Sequence, residues 1–128
     1  MTINEELTAF RSQFPGCSVM TLADASTGMV LGASAAVRTT QETLDALCLE
    51  GRDAVSGQLA QAVSAHFATS AQSLIGVAMH ADAGGIKCFV RAPLPAPEML
   101  CFVAGENTAF DDLLNAAKGL LTRLVSEG

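Results

Sequence analysis

The segment from Thr39 to Phe67 constrains the fold of this chain more than any other, because it carries one unbroken helical pattern in a sequence of 128 residues. Apolar and small residues recur there at steps of three and four, which places them on one face of a helix. Thr39 and Glu42 have the spacing of a capping box, so we expect the helix to begin near Thr40. The face that packs on a core would consist of Leu44, Leu47, Cys48, Gly51, Val55, Leu59, Ala62, Val63 and Phe67.

A second face of the same helix is made of small residues: Ala46, Ala54, Gly57, Ala60 and Ser64. A glycine inside a helix costs roughly 1 kcal/mol relative to alanine, so a compensating contact is expected. Another helix in close approach would supply that contact, and so would the domain's own sheet. The pattern leaves both arrangements open.

Shorter elements flank the long helix on both sides. Thr2 and Glu5 repeat the capping-box spacing, and apolar residues continue at helical steps until Pro15. Turn-forming residues at 24–28 and 82–85 separate segments of strand composition, which predicts hairpins. In chain order we predict a helix from Ile3 to Phe14, strands over 17–23 and 29–34, the long helix, strands over 72–80, 86–92 and 98–104, and a helix from Phe110 to Leu124.

The predicted strands carry apolar or small residues on successive positions instead of alternating with polar ones. Met29, Val30 and Leu31 are an example. This pattern is typical of a sheet that is covered on both faces. The strand over 98–104 is the most apolar and is predicted near the centre of the sheet. Because hairpins join most of the strands, we predict an α+β fold with an antiparallel sheet and helices on each side.

The composition limits the possible partners. Hydrophobic residues make up 50% of the chain and charged residues 16%, so much of the surface must be apolar or small unless a partner covers it. This balance favours an oligomer. The net charge of −6 and the pI near 4.6 oppose binding to a phosphate backbone, so nucleic acid is not expected as a partner. A chain of this length fits one domain, residues 1–128.

The distribution of apolar residues bears on location. No apolar run reaches the roughly 18 to 20 residues that span a bilayer. Residues 1–13 are polar and acidic, unlike a secretory signal. We therefore expect a soluble cytoplasmic chain with no signal peptide and no membrane span.

The cysteines stand singly, without CxxC or metal-ligand spacing: Cys17, Cys48, Cys88 and Cys101. Buried thiols in a reducing cytoplasm are predicted in preference to disulfides or a metal site. An enzyme with a reactive cysteine is a weaker alternative. A nucleophilic thiol requires a cationic neighbour or a helix N-terminus, and the sequence gives none of the four such a setting.

We find no catalytic, cofactor-binding or metal-binding motif, since GxSxG, HExxH and the P-loop pattern are all missing. His80 and Asp82 could share a metal ion or a proton, but two residues make an incomplete site. Asp24 and Ser26 fall in a turn, where such side chains cap the backbone. Three charged residues of the long helix fit either a solvated edge or a polar contact with a partner: Glu50, Arg52 and Asp53.

With these elements in order, the chain resembles the Roadblock/LC7 family over its whole length. The likeness lies in the hairpin Val19–Ser34, with Asp24 and Gly28 in its turn, followed by the helix over 40–67 and the strand over 74–79. The resemblance implies a five-stranded antiparallel sheet. It also implies that the first and last helices cover one face of the sheet and the long helix covers the other.

The resemblance further implies a dimer, in which the long helices lie side by side and the third strands pair into one sheet. The positions in this sequence that would form the interface are Ala46, Ala54, Gly57, Ala60, Ser64, Ser73, Ile75 and Val77. Roles known in the family are non-enzymatic. They include dynein light chains, scaffolds for GTPase-regulating complexes, and bacterial partners of small Ras-like GTPases.

Two functions follow as hypotheses. The first is a non-enzymatic, bacterial, homodimeric scaffolding module that partners a small Ras-like GTPase or another Roadblock-type subunit, with no cofactor and no metal. The alternative is a small-molecule sensor of profilin-like fold. Its apolar cavity would lie between the sheet and the helices, lined by Met20, Met79, Met99 and Phe102.

Overall fold

The computed structural model describes residues 2–65, 77–82, 85–92, 96–105 and 108–127. The elements follow the predicted order, with bounds that differ from the prediction by at most a few residues. They are α1 (Ile3–Ser12), β1 (Cys17–Asp24), β2 (Val30–Ala35), α2 (Gln41–Ala65), β3 (Val77–Asp82), β4 (Gly85–Arg91), β5 (Glu98–Ala104) and α3 (Phe110–Glu127). The end of the predicted long helix and residues 72–76 of the predicted third strand lie outside the described residues.

The five strands form one antiparallel sheet in the order β2-β1-β5-β4-β3. The apolar strand β5 lies in its centre, as predicted. Phe102 of β5 is opposite Met20 of β1 on one side and Cys88 of β4 on the other. The proline-rich link after β4 does not prevent that strand from pairing with β5, since Arg91 is opposite Met99.

Helices cover both faces of the sheet, as the resemblance implied. Successive residues of a strand point to opposite faces, so Leu100 and Phe102 pack in one core with residues of α1 and α3. Met99 and Cys101 pack in a second core with residues of α2. All four side chains are completely buried. Among the helices of the described residues, none has both the length and the apolar character needed to cross a bilayer.

The helix α2 lies unusually close to the sheet at Gly51. A Cβ atom on this residue would lie 2.7 Å from Phe89 Cδ1 and 2.9 Å from Cys101 Sγ, closer than real Cβ atoms approach other atoms. Leu47, Cys48 and Val55 are buried on the same side of the helix. For Gly51, the contact that compensates the helical glycine is therefore the domain's own sheet.

Both of the first two helices have N-terminal caps, but one differs from the prediction. Thr2 and Glu5 form the predicted capping box of α1. In α2 the cap is Thr40, whose Oγ1 accepts a hydrogen bond from Thr43 N at 3.2 Å. The capping box predicted for Thr39 and Glu42 is wrong, because the Thr39 hydroxyl donates to Val37 O at 3.0 Å and is thereby committed to the preceding turn.

The close approach of α2 predicts opposite effects for two Gly→Ala substitutions. Gly51→Ala should destabilise the chain by about 1–3 kcal/mol, because the new methyl group overpacks the core against Phe89 and Cys101. Gly119→Ala, in α3, is the matched control. Its methyl group would meet no atom within 4 Å, so the gain in helix propensity should stabilise by up to about 1 kcal/mol. Urea unfolding at one fixed protein concentration measures both, and equal stabilisation by the two substitutions would contradict the packing described.

Candidate interaction surface

The two edges of the sheet differ in how they are covered. At β2, side chains of α1 occupy the edge. The Asn4 amide oxygen accepts a hydrogen bond from Ala33 N at 2.9 Å, and Ser34 Oγ accepts from Thr8 Oγ1 at 2.9 Å and from Arg11 Nε at 3.0 Å. Polar groups of the strand are thus bound within the chain. This makes β2 a poor template for a further strand.

The opposite edge is β3, which pairs with β4 and with no other strand among the described residues. The two strands form a regular ladder from Val77, opposite Val90, to Asp82, opposite Gly85. Met79 is 55% exposed although it is a large apolar residue. An edge strand presents a row of backbone N–H and C=O groups that a further strand can bind. The edge formed by β3 is therefore a candidate site of association.

Three titratable side chains join this edge to α2. Glu50 Oε2 lies 3.0 Å from His80 Nδ1, and Glu50 Oε1 accepts a hydrogen bond from Lys87 Nζ at 3.3 Å. The His80 ring also packs edge-on against Phe89, with 5.5 Å between ring centroids. The hydrogen bond to His80, followed by the contact with Lys87, holds the pKa of Glu50 below its ordinary value. This cluster fixes β3 against α2.

The sequence pattern does not bring these three residues together. His80 was predicted to pair with Asp82 if it formed a site, but it binds Glu50 because its side chain is on the face of β3 that points to α2. The side chain of Asp82 is outside the described part of the chain. One signal was present in the sequence: the turn at 82–85 sets a hairpin register in which His80 is opposite Lys87. The position of Glu50 depends on how α2 crosses the sheet, which the sequence does not specify.

The structure shows the surroundings of three of the eight predicted interface residues. Ala46 is exposed on α2, Ala54 is half-buried against the core beneath α2, and Val77 is half-buried against the core beneath α1 and α3. Ala54 therefore packs on the domain's own sheet, the alternative left open for the small-residue face. The remaining positions fall outside what can be described: the side chains of Gly57, Ala60 and Ser64 on α2, and the residues Ser73 and Ile75 altogether.

The outer side of α2 is a mixed surface. Ala46, Leu49 and Asp53 are exposed there, and Leu49 is 42% exposed. Arg52 Nη2 lies 3.2 Å from Asp53 Oδ1, so these two residues form an ion pair at the surface of the described chain. The polar contact with a partner stays a prediction. We use the term α2–β3 surface for the outer side of α2 together with the edge of β3.

The four residues considered for an apolar sensor cavity do not share one cavity. Met20 and Phe102 are buried in the core beneath α1 and α3, whereas Met99 is buried in the core beneath α2. Met79 is on the surface. Because the sheet separates the two cores, these side chains cannot line one cavity. A groove of about 190 Å³ does run beside the first half of α2, lined by Val19, Thr43, Leu44, Ala46, Leu47, Glu50, Lys87 and Val103.

The residues considered for catalysis have structural roles where the structure describes them. Asp24 Oδ1 accepts hydrogen bonds from Ser26 N at 2.8 Å and Thr27 N at 3.2 Å, which confirms the turn interpretation. The bonds from Ser26 lower the pKa of Asp24. Gly28 completes the turn with a φ of 77°, a value that favours glycine. Within the described ranges, no three His, Cys, Asp or Glu side chains are grouped so that they could hold a metal ion.

Comparison with solved structures identifies the fold as that of Roadblock/LC7 domains. The Roadblock/LC7 domain from Streptomyces avermitilis superposes with a TM-score of 0.73 at 11% identity, over 99% of this chain and 97% of that chain. The gliding protein MglB from Thermus thermophilus superposes with a TM-score of 0.72 at 19% identity, over 97% of this chain and 88% of that chain. A structure of MglB with a tetrameric arrangement gives a TM-score of 0.68 at 18% identity, over 96% of this chain and 87% of that chain.

These likenesses are of fold. Sequence comparison adds nothing to them, since no family model and no curated protein matches this chain. Both the resemblance drawn from the sequence and the predicted arrangement of sheet and helices are confirmed.

The cluster of Glu50, His80 and Lys87 predicts a dependence of stability on pH. The pKa of Glu50 is lowered in the folded chain, so its contribution is present above the ordinary value of 4.5 and is lost as the pH falls through the lower folded value. With Glu50→Gln, the free energy of unfolding should therefore decrease less between about pH 5 and pH 3 than it does in the unmodified chain. At neutral pH it should cost less than about 1 kcal/mol, because the pair is partly solvated.

Urea unfolding at a series of pH values measures this effect. Asp53→Asn, which removes a carboxylate from the exposed side of the same helix, is the matched control. The same acid dependence in both variants would show that Glu50 does not hold β3 in the way described.

Proposed function

We propose that this chain is a non-enzymatic regulatory and scaffolding module that works as a homodimer. The observation that carries the proposal is the difference between the two sheet edges. Side chains of α1 occupy the edge of β2, whereas β3 offers its edge beside the outer side of α2. A second copy would pair its β3 with this one and set its α2 alongside, so that one sheet continues through both chains.

Several features of the chain support self-association at the α2–β3 surface. The described residues leave the edge of β3 unpaired on one side. An open edge strand favours association with other chains, and pairing with a second copy would close it. The exposed Met79 lies on that edge. The helical pattern of the sequence puts small residues at Ala46, Gly57, Ala60 and Ser64 on one face of the long helix, and small side chains permit close approach of two helices. The low share of charged residues, 16%, also fits a surface that a partner covers.

The partner we propose for the dimer is a small Ras-like GTPase or another Roadblock-type subunit, in the cytoplasm of a bacterium. This part of the proposal rests on the fold, which is shared with a Roadblock/LC7 domain and with the gliding protein MglB, and on the roles that the family resemblance implies. The structure of MglB with a tetrameric arrangement is an instance of assembly by this fold. We propose that residues 1–128 act as one domain in this role.

The edge strand provides the test of the dimer. Met79→Lys places a charge on β3, and charged side chains on an edge strand oppose strand-to-strand pairing. We expect light scattering on the purified chain at about 1 μM to give the mass of two chains for the unmodified protein and of one chain for Met79→Lys. Since Met79 is 55% exposed, the substitution should leave the fold intact, as circular dichroism would show.

Val37→Lys is the matched control, because it also replaces an exposed apolar residue by lysine, and Val37 is 73% exposed between β2 and α2. This variant should keep the mass of two chains. A monomeric unmodified protein, or a Met79→Lys variant that keeps the dimer mass, would refute the proposed interface.

The GTPase role is tested separately, by the GTP hydrolysis rate of a small Ras-like GTPase from the same organism with each form added. We expect the dimer to change that rate and Met79→Lys to change it much less.

A further inference from the structure

The four cysteines are all buried free thiols, as predicted, but the sheet divides them into two unlike pairs. Cys17 and Cys88 lie in the core beneath α1 and α3, and Cys48 and Cys101 lie in the core beneath α2. Burial raises the pKa of Cys17 to about 11 and that of Cys88 to about 12. The thiolate is the reactive form of cysteine, so Cys17 and Cys88 are unreactive at neutral pH.

Cys48 and Cys101 come from different elements but share one small polar cluster. Both are completely buried in the core beneath α2. Thr21 Oγ1 lies 3.3 Å from Cys48 Sγ and also donates to Cys101 O at 3.2 Å. The Cys101 sulfur occupies the space that Gly51 leaves beneath α2, and Gly51 lies one helical turn after Cys48 on the same buried side. The glycine therefore lets the helix that carries Cys48 approach the strand that carries Cys101.

The surroundings of the two thiols differ. Interaction with the neighbouring Cys101 thiol lowers the pKa of Cys48, and the Thr21 hydroxyl acts in the same direction. The pKa of Cys101 is raised by the same contact and by burial. Cys48 is thus the thiol that ionises first, and Cys101 holds its proton beside it.

We propose that Cys48 and Cys101 are an oxidisable dithiol, which hydrogen peroxide converts into a disulfide that joins α2 to β5. In the first step the Cys48 thiolate attacks one peroxide oxygen, the O–O bond breaks, and water leaves after proton transfer, so that Cys48 becomes a sulfenic acid. In the second step the Cys101 sulfur attacks the Cys48 sulfur, the S–O bond breaks and a second water leaves. The two thiols together lose two protons and two electrons, and one peroxide is reduced to two waters.

The groove beside α2 lies next to this cluster, on the same side of the sheet. Val19 and Val103 line the groove, and each stands two residues from a member of the cluster, Thr21 on β1 and Cys101 on β5. Residues two apart in a strand point to the same face, so the groove and the thiols lie on the same side of the sheet. Its volume of about 190 Å³ is enough for several molecules of the size of water.

A disulfide at this place would fasten the helix that carries the α2–β3 surface to the central strand of the sheet. Cross-linking residues far apart in sequence stabilises the fold chiefly by restricting the unfolded chain. The chemistry of the thiol pair does not rest on the proposed function. Dimer formation and disulfide formation can therefore fail separately.

The test is oxidation of the native chain by hydrogen peroxide, followed by alkylation of the remaining thiols and intact-mass measurement. We expect a product lighter by two hydrogen atoms that takes up alkylating reagent only at Cys17 and Cys88, and only after unfolding. Peptide mapping without reductant should find Cys48 linked to Cys101, and dithiothreitol should reverse the change. The rate should rise with pH as Cys48 ionises.

Two substitutions separate the proposed pair from the other thiols. Cys48→Ala should abolish the mass change, whereas Cys88→Ala, which removes an equally buried thiol from the opposite core, should retain it. If Cys48→Ala fails to fold, the peptide map of the oxidised, unmodified chain shows whether Cys48 is linked to Cys101. An unchanged mass, a different linkage, or a linkage that forms only in denaturant would overturn the proposal.

Discussion

The close contact between α2 and the sheet is the interaction on which the rest of the structure depends. It is possible because Gly51 has no side chain, so the ring of Phe89 and the thiol of Cys101 reach the helix backbone. Because α2 lies this close to the sheet, Glu50 can bind both His80 of β3 and Lys87 of β4. The same contact brings the thiols of Cys48 and Cys101 together. One glycine therefore positions an edge strand, a charged cluster and a dithiol.

The second constraint is that the sheet is open, so it has two edge strands whose outer backbone groups need partners. The two edges, β2 and β3, differ in how they are covered. On α1, Leu7 and Phe10 are buried in a core, while Asn4 and Arg11 bind backbone and side-chain groups of β2. The first helix is thus both a core element and an edge cover. At β3 the described residues supply no such cover, and this asymmetry is why we assign association to the α2–β3 surface.

The elements and their layers could be predicted from the sequence, because they depend on local periodicity. The apolar run of β5 predicted its central position, and the unbroken apolar pattern of the strands predicted helices on both faces. The N-cap of α2 could not be predicted from spacing alone, because Thr39 and Thr40 are chemically alike. The hydrogen bond of Thr39 within the preceding turn decides that Thr40 caps the helix. The groups that join α2 to the sheet could not be predicted, because Glu50 and His80, or Cys48 and Cys101, meet only when the crossing of the helix is known.

In the proposed dimer the edge of β3, and not that of β2, pairs with a second copy of the chain. Amide hydrogen exchange at high and at low protein concentration tests this most directly, because it reports on each edge separately. We expect the amides of residues 77–82 to become more protected as the protein concentration rises, while the amides of residues 30–35 exchange at a constant rate. Protection of residues 77–82 that does not change with concentration, or a concentration effect confined to residues 30–35, would contradict it.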